Sequence, residues 1–400
     1  MRTTLLAALF AAAASGVFAQ PSALECTKFS VDTAASGRAT PFSLPLADGF
    51  AAPATLRADG GTGLDVPLTV AGARVYGVLP AGTPAGSHTF VVREAQYKGE
   101  PAVSITQQGD TAVEVRAGGE LVTAYHFSKD DRKPYFWPVL GEGGVSLTRD
   151  WPSSGKEGKT KDHPHHVSFW TAHGDINGAD FWEYGERTGW QVPKAVMTGS
   201  GHAAGWITSR DSWVDKDRNA VVAEERSYIF YNTPASGRLI DVTVKFTAEH
   251  GDVKFGDTKE GGIIAIRMND DLREQGGTGK ITNSEGAVGE KAAWGKPAAW
   301  CDYTGTLEGL GPRGITVMNS PQSFRYPSHW HVRGYGLMGA NPFGYSAFTE
   351  GKQKGDYTLP QGESITFSYR IYLHSGDVSA ADVAGHYQDF ANPPKAEWVK

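Results

Sequence analysis

In the stretch RLIDVTVKF, Ile240, Val242, Val244 and Phe246 alternate with Asp241, Thr243 and Lys245. A period of two places all four apolar side chains on one face, which suits a strand with one buried side and no helix. The same alternation recurs in TAVEVRAG, ELVTAYHF, ERSYIFYN and SITFSYRIYLH, and GIIAIRM and GITVMN read as more fully buried strands. Glycine, proline, asparagine and aspartate punctuate these runs as turn residues do. Fifty glycines and 22 prolines fit so many turns. The pattern predicts an all-β fold, a large antiparallel β-sandwich. One helix is predicted over 379–390, SAADVAGHYQDF, with Ser379 as N-cap and Pro393-Pro394 beyond its end.

Residues 20–100 differ from the rest. They are rich in Ala, Gly, Pro and Thr and read as a small β-rich module. Residues 101–400 hold the main sandwich, long enough for a sizeable core. Ahead of both, MRTTLLAALFAAAASGVFAQ has one cation, Arg2, and an apolar run from Leu5 to Ala14. That run is too short to span a bilayer, so residues 1–19 read as a signal peptide and the chain as secreted or periplasmic. Cys26 follows the charged Glu25, which is poor for lipoprotein cleavage. In an oxidising compartment Cys26 and Cys301 either pair or stay as separate buried thiols. With a formal charge of −6 and no basic tract, nucleic acid and anionic membrane surfaces are excluded as partners.

Two stretches carry chemistry. KDHPHHVSFW places His163, His165 and His166 within four residues, and HWHVRG contributes His329, His331 and Arg333. In an extended chain His163 and His165 face one side and His166 the other, although Pro164 restricts the run to an edge, bulge or loop. HWHVRG sets His329, His331 and Arg333 on one face and Trp330 and Val332 on the other. Such a titratable face backed by apolar residues suits a pocket wall. Asp257, Lys259 and Glu260 precede a buried strand, either as rim ion pairs or as an acid–base pair. Glu285 in NSEG, Lys296 between Trp294 and Trp300, and Asn341 in NPFG are weaker candidates.

The candidate catalytic residues are therefore His163, His165, His166, Lys259, Glu260, Glu285, His329 and His331. Arg333, Trp170, Trp300, Trp330 and Asn341 are candidates for holding substrate, since tryptophan faces stack on sugar rings and arginine holds carboxylates. No cofactor is predicted. A divalent metal is the alternative, with His163, His165, His329 and His331 as ligands, although no HExxH or Cys/His zinc framework occurs.

Six stretches together resemble the secreted bacterial PmoA-like family, catalogued as "methane oxygenase PmoA". They are KPYFWPVLGEGGVSLTRDWP (133–152), KDHPHHVSFWTAHGDINGADFW (161–182), GDTKEGGIIAIRM (256–268), KITNSEG (280–286), WGKPAAWCDYTG (294–305) and HWHVRGYGLMGANPFG (329–344). The label implies methane oxidation, yet the membrane monooxygenase subunit that lent its name has several spans and this chain has none. The resemblance instead implies an exported companion of polysaccharide utilisation, with a sandwich similar to the galactose-mutarotase-like supersandwich. The residues and the resemblance together predict a carbohydrate-active enzyme of lyase, hydrolase or mutarotase type, using His/Glu acid–base catalysis on a carbohydrate ligand. A non-catalytic glycan-binding module and a metal-dependent oxygenase are the alternatives.

Overall fold

The computed structural model describes residues 27–46, 56–61, 63–233 and 237–399. The expected signal peptide and Cys26 lie outside the described residues, and with them the question of pairing to Cys301, which is itself buried.

The body is two eight-stranded sheets packed face to face. The first runs His329–Arg333, Leu337–Asn341, Gly261–Arg267, Phe169–His173, Tyr135–Val139, Glu120–His126, Ala112–Ala117, Val103–Gln108. The second runs Trp190–Gly199, Ala204–Val214, Ala220–Tyr231, Arg238–Thr247, Ser364–Ser375, Gly311–Asn319, Trp300–Leu307, Lys280–Asn283. Their inner faces share one apolar core, in which Ile240, Val242, Val244 and Phe246 meet Phe136, Phe169, Ile264, Ile266 and Trp330. This is the all-β sandwich that the alternation requires.

A seven-stranded sheet contains the strands between Lys28 and Glu94. It also takes in Lys395–Trp398, which pairs antiparallel with Lys28–Thr33. Its residues Ala71, Tyr76 and Val78 pack with Ile229, Tyr231, Tyr372 and the C-terminal helix on the outside of the second sheet. That helix starts later than the pattern indicates, spanning Val383–Ala391 with Asp382 as N-cap. Ser379 does not cap it. The Asp377 carboxylate accepts the Ser379 and Ala380 amides at 3.0 and 2.9 Å, and this local turn outcompetes the helix.

The outer face of the first sheet is left for other work. Strand His329–Arg333 buries Trp330 and Val332 in the core, so His329, His331 and Arg333 face outward. On neighbouring strands Trp170, Ala172, Ala265 and Leu337 face the same way and form a small apolar cluster with Val167 and Trp182.

Candidate functional site

The segment His163–His166 is a turn rather than an extended run. The His166 amide donates to the His163 carbonyl at 3.0 Å, and Pro164 supplies the fixed φ at the turn's second position. His163 takes a left-handed φ of 49°. The turn gathers all three imidazoles instead of splitting them between two faces. The His163 and His166 rings stack at 4.8 Å, and His165 meets His166 edge-on at 4.5 Å.

Two buried arginines hold the turn. Arg149 donates to the carbonyls of Asp162 and His163 at 2.9 and 3.1 Å. Arg267 grips the Asp162 carboxylate through both oxygens, at 2.9 and 2.8 Å. Asp162 also binds Nδ1 of His163 at 2.5 Å. Burial alone would raise the Asp162 pKa, but the His163 hydrogen bond and the two guanidinium groups outweigh it and hold the carboxyl well below its usual range. Tyr335 closes the group, stacked on His163 at 4.8 Å and lying 4.7 Å from the Arg267 guanidinium.

Trp182 joins the two histidine stretches. Its indole lies 6.4 Å from the His165 ring, 5.5 Å from His166 and 6.2 Å from His331. The Asp180 carboxylate sets this segment by accepting the Trp182 and Glu183 amides. Lys133 sits beneath it, fully buried, donating to the Trp182 carbonyl at 3.0 Å and lying 5.4 Å from the Tyr184 ring. Burial lowers the Lys133 pKa to about 7, with Asp180 opposing. Tyr184 is exposed at 43% and meets His165 edge-on at 6.0 Å, so part of its ring reaches solvent at the edge of the cluster.

The buried histidines are held neutral. Burial first, then the charges of Lys133, His163, Arg149 and Arg267, push His165 down to about 3. Burial, then Lys259 and Arg333, do the same to His331, also to about 3. Nε2 of His165, Nδ1 of His331 and Nε1 of Trp182 have no hydrogen-bond partner among the described residues. Unpaired buried polar atoms are costly, and so many around one indole point to a ligand that would satisfy them.

The remaining candidates fall in different places. Lys259 and Glu260 pair with each other next to His331 and Arg333. Gly174 permits this approach, because its amide donates to the Glu260 carbonyl at 2.7 Å and a Cβ there would lie 2.6 Å from that oxygen. Arg333 is half-buried and paired with Glu290 at 2.7 Å. Trp170 is buried under His166, 5.1 Å away, and supports the cluster from below. His329 lies apart, packed on Tyr345 and Phe348 at 4.5 and 5.7 Å.

Besides His329, four candidates do not reach the cluster as substrate or acid–base groups. Trp330 is in the core, its indole nitrogen bonded to the Ala298 carbonyl at 3.0 Å. Trp300 is buried on the outside of the second sheet, and Glu285 is in an exposed turn beside that sheet. Asn341 is fully buried and its amide is fully used. It donates to the carbonyls of Thr258 and Lys259 and accepts from the amides of Phe343 and Gly344, so it braces the Lys259 loop. The set His163, His165, His329 and His331 does not assemble as metal ligands. Among the described residues no three His, Cys, Asp or Glu side chains converge as a metal ion needs.

Asp162, Arg267, Trp182, Lys133, Tyr184 and Tyr335 complete the cluster, and the pattern of residue types did not single them out. Trp182 and Tyr335 had weak signals, lying within or beside polar stretches already marked. Lys133 had none, since nothing local announces a buried lysine. A cleft of about 730 Å³ lies between the second sheet and the C-terminal helix. Its Arg38 and Arg238 are paired with Asp382, Asp389 and Glu120, so it offers little free acid–base chemistry.

The structure is thus an all-β sandwich with a histidine and aromatic cluster on an outer sheet face. The chain belongs to the family of unknown function DUF6807, whose match covers residues 112–388. No curated protein matches it. Among solved structures it is similar to a glycosyl hydrolase family 38 protein from Enterococcus faecalis, with 9% identity, a TM-score of 0.41, and 96% of this chain and 48% of that one covered. An alpha-mannosidase from Enterococcus faecalis V583 matches with 10% identity, a TM-score of 0.42, and 94% and 46% coverage. A beta-arabinopyranosidase matches with 10% identity, a TM-score of 0.28, and 68% and 38% coverage. The chain therefore spans less than half the length of these solved chains. At such TM-scores the likenesses do not bear on chemistry, which rests on the site's own residues.

Proposed function

We propose that the protein is an exported carbohydrate-active enzyme whose site is the cluster around Trp182, with His165 and His331 as its acid–base pair. The observation that carries this reading is the pair of buried, neutral imidazoles whose free ring nitrogens have no partner among the described residues. Beside them stands the exposed Tyr184, a face on which a pyranose ring can stack. The resemblance to the PmoA-like proteins points the same way.

A neutral imidazole can accept a proton from a sugar hydroxyl or from a carbon next to a carbonyl. Once protonated, it lies in the field of Lys133, Arg149 and Arg267 for His165, or of Lys259 and Arg333 for His331, and returns the proton readily. The same cations would stabilise negative charge developing on the substrate. A bound anion would raise both imidazole pKa values towards neutrality, where general acid–base catalysis is most effective.

The test is proton NMR of the anomeric region with purified protein and a panel of neutral and acidic oligosaccharides. New resonances or faster anomer exchange, lost in both His165→Ala and His331→Ala, support the enzyme. Line broadening without new species would replace it with a glycan-binding module. Turnover that survives both substitutions would remove the acid–base assignment.

A further inference from the structure

Next to the histidine cluster, Trp190 carries a guanidinium on each face. Arg132 lies 3.6 Å and Arg218 3.8 Å from its ring centre. The indole attracts each guanidinium, while the two like charges repel each other, and a carboxylate or an external anion would relieve that repulsion. Carboxylates are missing. Among the described residues no ion pair or side-chain hydrogen bond engages either arginine, and Nη1 of Arg132 is buried without a partner. Burial lowers the Arg132 pKa, with Tyr184 opposing and Arg218 reinforcing, and no carboxylate contributes.

Both arginines are held by backbone rather than by acidic neighbours. The Gln191 amide donates to the Arg132 carbonyl at 2.9 Å, tying that residue beside Trp190. Arg218 belongs to the hairpin turn after strand Ala204–Val214, where the Asp215 carboxylate accepts the Asp217 and Asn219 amides. It adopts a left-handed φ of 69°, a conformation that a non-glycine residue takes at some cost. The Asp215 carboxylate is thus spent on its own turn, while the Arg218 guanidinium goes to the Trp190 face.

This stack adjoins the site. Arg132 precedes Lys133, which lies under Tyr184, and Tyr184 faces His165. A saccharide stacked on Tyr184 with one end at His165 would bring a neighbouring sugar towards the two arginines. We propose that Arg132, Trp190 and Arg218 form a subsite for an oxyanion-bearing sugar, so that the substrate is an acidic saccharide. This inference rests on the carbohydrate reading above and adds the charge class. Planar guanidinium groups match carboxylate and sulfate ester geometry equally, and the indole between them presents its edge to the sugar.

The test is isothermal titration of the full chain with three saccharide sets of equal length: oligogalacturonates, sulfated galactans and neutral manno-oligosaccharides. Intrinsic fluorescence is followed in parallel, because an anion on the arginines alters the surroundings of Trp190. The expected result is about tenfold tighter binding of one acidic set over the neutral set, as two charge-assisted contacts would give. That preference falls as salt rises. Which acidic set binds identifies carboxylate or sulfate. Arg218→Gln, an exposed hairpin change that leaves the fold intact, and the Arg132→Gln/Arg218→Gln double variant should erase the preference while keeping neutral binding and the circular dichroism spectrum. Equal affinity for acidic and neutral sugars, or a preference unchanged in folded variants, overturns the subsite and leaves the carbohydrate reading standing. No binding of any set overturns both.

Discussion

Asp162→Asn isolates the element that gives the histidine turn its shape. Its two partners are enclosed, with the side chains of Arg149 1% and Arg267 0% exposed, whereas Asp162 itself is 38% exposed. Removing one partner from a fully buried ion pair costs about 3–5 kcal/mol, because the other charge stays behind unpaired. The cost here should be smaller, about 2–3 kcal/mol, since solvent reaches Asp162 and asparagine keeps one acceptor oxygen. Most of it falls on Arg267. Arg149 still has the carbonyls of Asp162 and His163, while Arg267 keeps, besides the single uncharged amide oxygen, a 3.3 Å contact to Nδ1 of His166 and the face of Tyr335. Urea unfolding is the assay, with the shift read from the midpoint at unchanged slope. Adding Arg267→Met to Asp162→Asn should recover much of the loss, since an apolar side chain leaves no buried charge. The pH dependence has a definite sign. The folded Asp162 pKa lies below its unfolded value, so its contribution is complete above about pH 4 and is lost as pH falls towards the folded value. Asp162→Asn should flatten that acid limb. A change below about 0.5 kcal/mol, within the range of ordinary surface substitutions, would refute the clamp. So would strictly additive effects of the two substitutions.

Three further outcomes follow from the same geometry. His165 and His331 have folded pKa values pushed down to about 3, so the unfolded chain binds more protons between there and about 6.5 and stability falls as pH drops through that window. His165→Asn and His331→Asn should each reduce that slope in denaturant titrations at pH 4 to 7. Trp330→Ala should cost about 3–5 kcal/mol as a core cavity, whereas Tyr184→Ala should change stability by under about 0.5 kcal/mol yet weaken saccharide binding in the titration above. Asn341→Ala strips partners from the Thr258 and Lys259 carbonyls and the Phe343 and Gly344 amides. A loss of about 2–3 kcal/mol should be measurable by thermal or urea melting, with the Lys259 loop exchanging amide protons faster.

Period-two alternation is a local property, and it was enough to determine the all-β class and the facing of individual strands. Ile240, Val242, Val244 and Phe246 point into the core, and His329, His331 and Arg333 oppose Trp330 and Val332, because successive side chains on a strand must take opposite faces. Where local bonds compete, reading by pattern fails. The Asp377 carboxylate delays the helix to Val383, and the proline turn at His163–His166 gathers three imidazoles that an extended chain would divide. What decided the site was pairing between distant segments. Trp182 stands between His165, His166 and His331 only because strand Gly261–Arg267 lies between Phe169–His173 and the Leu337–Asn341 hairpin arm in one sheet. The burial of Lys133, the double guanidinium grip on Asp162 and the arginines on Trp190 likewise come from such packing. No single segment encodes them, since burial and charge pairing belong to neighbours brought together by the fold.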